Sequence, residues 1–256
     1  MTTIIIAFLL LICCSLSAQT FSDEALYKCY LGEDKELWKQ YITTADWNKL
    51  TSKERQRLLN YEYGYIAYAV SENNSESKKL LDNFNSHIES MTGKMAESTR
   101  LVYLSAAASY SISLSKWTIA VNGPKTFNYA EKALAIDSLN PLALTLRGSI
   151  YFYSPKAFGG DKQLALKYMQ QAEKQFQQRG DTVNNWNYRS VQMILAQCLE
   201  KTGNKQAAIA KCRSILQEEP EFSYIRDCYL PELLGQKGKG NNQNTVGASI
   251  VNGIMD

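Results

Sequence analysis

His87 is the only histidine in the 256 residues, so a Ser, Cys or Thr nucleophile could find at most one imidazole base, and a paired-histidine zinc site is excluded. The pattern around it predicts a solvated helix face. No Gly-x-Ser-x-Gly elbow, no His-Glu-x-x-His helix and no Gly-x-x-x-x-Gly-Lys-Ser/Thr phosphate loop occurs. The run 235–240 imitates such a loop, but Gly240 rather than Ser or Thr follows Lys239. Asp23, Glu24, Glu33, Asp34, Glu218 and Glu219 are scattered, and nothing in the sequence selects two of them as an acid–base pair. Without a Cys-x-x-Cys either, the expectation is no metal and no cofactor.

The segment Ser154-Pro-Lys-Ala-Phe-Gly-Gly-Asp-Lys162 concentrates the least ordinary chemistry of the chain. Its structural role is easily stated: Pro155 ends a helix, Gly159 and Gly160 permit positive φ, and Asp161 caps the next helix by accepting a backbone N–H. A ligand-facing role for Lys156, Phe158 and Lys162 is compatible with that.

The stretch from Leu195 to Pro220 places Leu195, Ala196, Leu199, Ala208, Ile209 and Ile215 in helical register. Small Ala196 and Ala208 let two helices approach, Gly203 supports the turn between them and Pro220 ends the second. Upstream, Pro141, Leu144, Gly148 and Tyr151 predict a first helix, with Ala165, Met169 and Ala172 on its partner. Tyr103, Ala106, Ala107 and Tyr110, followed by 131–134, make an earlier copy, and Leu58, Leu59, Tyr63, Gly64 and Ala67 with Ser77–Ile88 make a degenerate one.

These hairpins resemble tetratricopeptide (TPR) repeats, whose unit is about 34 residues. Gly64, Ala107, Gly148 and Ala196 recur at a longer interval, which insertions at 117–125, 154–161 and 180–187 account for. The resemblance implies an all-α fold: a right-handed α-solenoid of stacked helix hairpins, a TPR-like superhelix with N- and C-terminal capping helices. It also implies binding rather than catalysis. The Pro-Lys-x-Phe-Gly-Gly-Asp part of the 154–162 segment resembles a loop of exported TPR-like proteins, including soluble components of tripartite substrate transporters.

The organisation expected is a signal peptide over 1–18, capping helices over 19–56, about four hairpins over 57–220, a C-terminal capping helix over 221–234 that Pro231 shortens or kinks, and a flexible tail over 235–256. Ile4 to Ile12 is an apolar run followed by small residues, which predicts export to the periplasm or beyond with cleavage after Ala18. The run is about half the length a bilayer requires, and no other segment could span one. Cys29, Cys198, Cys212 and Cys228 then remain, either in disulfides or buried as apolar residues.

A net charge of +3, from 28 basic and 25 acidic residues intermixed along the chain, gives no field suited to nucleic acid. With 45% hydrophobic residues there is ample material for a core. The predicted inner surface runs from Leu58, Tyr61, Tyr65 and Tyr68 through Leu101, Leu104, Ala108, Ser111 and Ile112 to Leu142, Thr145, Ser149 and Phe152. It ends at Ser190, Met193, Gln197 and Glu200. Two uses of that surface are expected: an adaptor holding a protein or peptide, or a carrier enclosing a small apolar or amphipathic ligand among Tyr61, Tyr65, Tyr68, Ser111 and Phe152, with the 156–161 loop at its rim. A third possibility needs no ligand, since a short superhelix that closes on itself would use these same side chains as core.

Overall fold

The computed structural model describes residues 21–238, so the expected signal peptide and all of the tail beyond Gly238 lie outside the described residues. Within them the chain is all-helical: eleven α-helices and no strand. They are α1 (Asp23–Gly32), α2 (Glu36–Thr44), α3 (Ser52–Ser71), α4 (Ser77–Ser90), α5 (Glu97–Leu114), α6 (Ile119–Ile136), α7 (Pro141–Tyr153), α8 (Lys162–Gln178), α9 (Trp186–Lys201), α10 (Lys205–Glu218) and α11 (Leu230–Leu233).

Local chemistry marks the helix starts. Thr51 and Glu54 close a reciprocal capping box on α3. Asn140 accepts from the N–H groups of Leu142 and Ala143 with Pro141 in the first turn of α7. Asp161, Asn185 and Asn204 cap α8, α9 and α10 in the same way. Gly203, at φ +91°, turns the chain between α9 and α10.

One boundary differs from the sequence expectation. Residues 117–125 are not an insertion between paired helices: a 3₁₀ turn at Lys116–Thr118 leads straight into α6, which carries Pro124 in its interior. At the C-terminal end, the helix expected over 221–234 runs without a break over 223–233. It opens as a π-helix over Tyr224–Tyr229 that passes into α11, where Pro231 has no N–H to donate to the turn before it.

Each of α3, α5, α7 and α9 packs on the helix that follows it, and the four also touch one another in succession. The division of labour shows in burial. Each of α4, α6, α8 and α10 buries one stripe, such as Leu80, Leu81, Phe84 and Ile88 on α4. By contrast, α9 is buried at every position from Trp186 to Cys198.

A helix buried all round must be covered on its inner side too, and α1 and α2 supply that cover. Trp38 of α2 meets Tyr61 and Trp186 edge-on at 5.3 Å each and donates its indole N–H to Leu26 O at 2.7 Å. Gly64 makes room for both indoles: a Cβ there would lie 2.7 Å from Trp38 Cζ3 and 2.9 Å from Trp186 Cη2. Tyr30 of α1 reaches Trp186 and Phe222, and Ser223 Oγ donates to Leu31 O. Residues 21–50 therefore lie against both α3 and the C-terminal unit.

That junction is also where a buried ionic network sits. Arg189 donates to Tyr27 Oη (2.8 Å), Gln192 Oε1 (2.7 Å), Glu218 Oε2 (2.6 Å) and Glu219 Oε1 (3.0 Å). Tyr27 in turn donates to Glu219 Oε1. Burial opposes the charge of Arg189, but Glu218 and Tyr27 outweigh it and hold the guanidinium protonated more firmly than usual.

Candidate functional site

The inner-surface residues named from sequence separate in the structure. Tyr65 is 2% exposed and packs edge-on against Tyr68, over which Lys35 lies at 5.4 Å. Phe152 is buried against Tyr153, with Lys162 Nζ 4.5 Å above its ring. Leu104 packs on the core, and Ser111 Oγ donates to its own helix at Ala107 O. The open Tyr-lined pocket is therefore corrected to packed interior for Tyr65 and Phe152. Tyr61 lines an open groove, and Phe158 lines a separate cavity.

The small repeat residues lie at close helix contacts. Ala107, Ala165, Ala196 and Ala208 are buried, Gly148 faces Met169 of α8, and Pro220 follows the end of α10.

The loop at 154–162 is a tight structural joint. Gly159 takes φ +86°, Gly160 N donates to Pro155 O, and Asp161 N donates to Tyr151 O. Asp161 caps α8, and Lys162 Nζ donates to Phe152 O in the last turn of α7, where a cation suits the helix dipole. Burial lowers the pKa of Lys162. Lys156 is exposed. A Cβ on Gly160 would fall 1.9 Å from Ser154 O, so Gly160→Ala is expected to destabilise the fold by about 1–3 kcal/mol. Urea unfolding measures it, and the neighbouring Ser154→Ala should be close to neutral.

His87 is not on a purely solvated face, as the sequence suggested. Its ring stacks on Trp47 at 3.9 Å, and Nδ1 lies 2.8 Å from Glu62 Oε1. Burial raises the Glu62 carboxyl and the His87 contact lowers it, burial prevailing. The pair joins α3, α4 and the 47–49 turn. Among the described residues Cys29, Cys198 and Cys212 are free thiols, and burial pushes those of Cys198 and Cys212 up to about 12. No group of three His, Cys, Asp or Glu side chains among the described residues is placed to hold a metal ion. No helix among them is long and apolar enough to cross a membrane.

The feature with binding chemistry is a groove of about 470 Å³ across the N-terminal parts of α3, α5, α7 and α9. Gln56, Arg57, Asn60 and Tyr61 come from α3, Thr99 and Tyr103 from α5, and Asn140 and Leu142 from the start of α7. Arg179, Asn184, Asn185, Trp186 and Asn187 complete it. Arg57 is fixed by Asp23 (2.6 Å), Tyr41 Oη (3.1 Å) and Phe21 O, and Arg179 by Leu139 O (2.9 Å). Asn187 Nδ2 donates to Asn60 Oδ1 at 2.9 Å, which joins α9 to α3 and leaves the Asn60 amide as a donor and the Asn187 carbonyl as an acceptor. The Trp186 indole N–H is buried with no acceptor.

Of these residues the sequence placed Tyr61 and Leu142 on the inner surface and Tyr103 in a repeat helix. Asn140 and Asn185 cap α7 and α9, whereas the Asn60–Asn187 pair joins positions 127 apart and left no local signal. No family model, curated protein or solved structure matches the chain.

Proposed function

We propose that the chain is a non-catalytic, TPR-like scaffold of the cell envelope or exterior, a right-handed superhelix of stacked hairpins that holds an extended stretch of a partner polypeptide. The observation that carries this reading is the groove itself. Successive first helices each contribute side chains that both donate and accept hydrogen bonds, which matches the alternating C=O and N–H groups of an extended chain. Arg57, ion-paired with Asp23, and Arg179, ion-paired with Asp137, add held guanidinium groups to its walls. The pairwise succession of helix contacts supports the stacked arrangement, and the apolar run at Ile4–Ile12 supports export.

The test is capture of partners from an envelope extract on the immobilised protein, followed by affinity measurement with the captured polypeptide. The triple variant Gln56→Ala, Asn60→Ala, Arg179→Ala removes three polar groups at about 1 kcal/mol each, so affinity is expected to fall roughly a hundredfold with helix content unchanged. Equal capture by the variant and the wild type would remove the groove from consideration.

A further inference from the structure

A second cavity, of about 460 Å³, opens between the C-terminal ends of α5 and α7 and the start of α6. Its walls include Ile112, Ile119, Phe127, Ile150 and Phe158. The space exists because α6 presents Ala120, Gly123 and Pro124 where larger side chains would fill it. A Cβ on Gly123 would meet nothing nearer than Ile119 Cγ1 at 3.9 Å.

Around this cavity the surface is unusually apolar. Trp117 is 95% exposed, Phe158 64% and Val121 60%, an arrangement that carries a hydration cost unless something covers it. The charges nearby have one sign. Lys116, Lys125 and Lys156 are exposed, form no ion pair among the described residues, and stand within three positions of Ile119, Pro124 and Phe158 respectively. The carboxylates on these three helices are Glu97 and Glu131, each already paired with an arginine, Arg100 and Arg147. Asp161, just beyond Phe158, is committed to capping α8.

From the apolar interior and the lysines at its edge, we infer that this cavity binds a single-chain anionic amphiphile of the fatty-acid type, the chain inside and the carboxylate among Lys116, Lys125 and Lys156. The volume falls in the range of small-molecule sites, about 300–1,000 Å³, which suits one chain. The site is distinct from the polar groove and does not depend on it.

Dodecanoate below its micelle concentration, titrated into the full chain and followed by Trp fluorescence and calorimetry, tests the inference. Saturable one-to-one binding is expected, tightening about tenfold for each two-carbon extension from decanoate to dodecanoate, since each buried methylene contributes about 0.8 kcal/mol. Gly123→Leu fills the cavity on a helix position that tolerates it and should weaken dodecanoate at least tenfold with an unchanged melting temperature. Lys125→Glu with Lys156→Glu should weaken dodecanoate about tenfold and leave dodecanol unaffected, a result that stands even if Gly123→Leu fails to fold. Absence of saturable dodecanoate binding overturns the inference. So does equal affinity in both variants, or binding only to phosphatidylglycerol vesicles, which would mark the patch as a bilayer-docking surface.

Discussion

Trp186→Ala is expected to lower the unfolding free energy by about 3–5 kcal/mol. The indole is 2% exposed and touches Trp38, Tyr30 and Tyr63, so its removal opens a cavity among α1, α2, α3 and α9 together. Urea unfolding followed by circular dichroism measures the loss. Gly64 gives a sharper version of the same experiment, because a Cβ there collides with both indoles. Gly64→Ala alone should destabilise by about 1–3 kcal/mol, and in the Trp186→Ala background it should cost much less, since part of the collision has gone. Strict additivity of the two substitutions would show that the close approach of Gly64 to Trp186 contributes nothing.

Arg189→Met is expected to cost about 3 kcal/mol. Arg189 is 6% exposed and serves Tyr27, Gln192, Glu218 and Glu219 at once, so its loss leaves the Gln192 carbonyl without a donor and the Glu219 carboxylate with Tyr27 Oη but no countercharge in a largely dry junction. The share from Glu218 is small, because that side chain is half exposed and water replaces its partner. Arg189→Lys keeps the charge but not the fork of donors, and should fall between the wild type and Met. Tyr27→Phe combined with Arg189→Met separates the link to α1 from the rest. A coupling of about 1 kcal/mol is expected, and none would mean that the tyrosine–arginine bond contributes nothing to docking α1.

What the sequence revealed and what it concealed divide along a physical line. Helix starts and stops are local events, and Asp161, Pro141, Gly203 and Pro220 announced them through capping, fixed φ and positive φ. The burial pattern of α3 was also readable, but not its meaning. A row such as Leu58, Tyr61, Tyr65 and Tyr68 has the same composition whether it faces a ligand or another helix, and here α2 lies on much of it. Periodicity names the buried face without naming its neighbour. The segment 117–125 was misjudged for a related reason: Gly123 and Pro124 are helix breakers by propensity, yet packing of α6 on α5 overrides them. Phe158 was visible as an odd aromatic in a loop, whereas its partners Ile112, Ile119 and Phe127 lie on other elements and could be gathered only by the fold.

The bond from Tyr27 to Glu219 spans 192 positions, and Ser223 to Leu31 spans another 192. An ordinary row of repeats can unzip one unit at a time from either end, but a strap between first and last makes fraying at either end costly. During ribosomal synthesis, helices α1 and α2 emerge long before α9 and α10 exist to receive them, so Trp38 and Tyr30 must wait in water until nearly the whole chain has been made. Closing the strap is therefore expected to come late in folding, and pulsed proteolysis during refolding should cut 21–50 until it does.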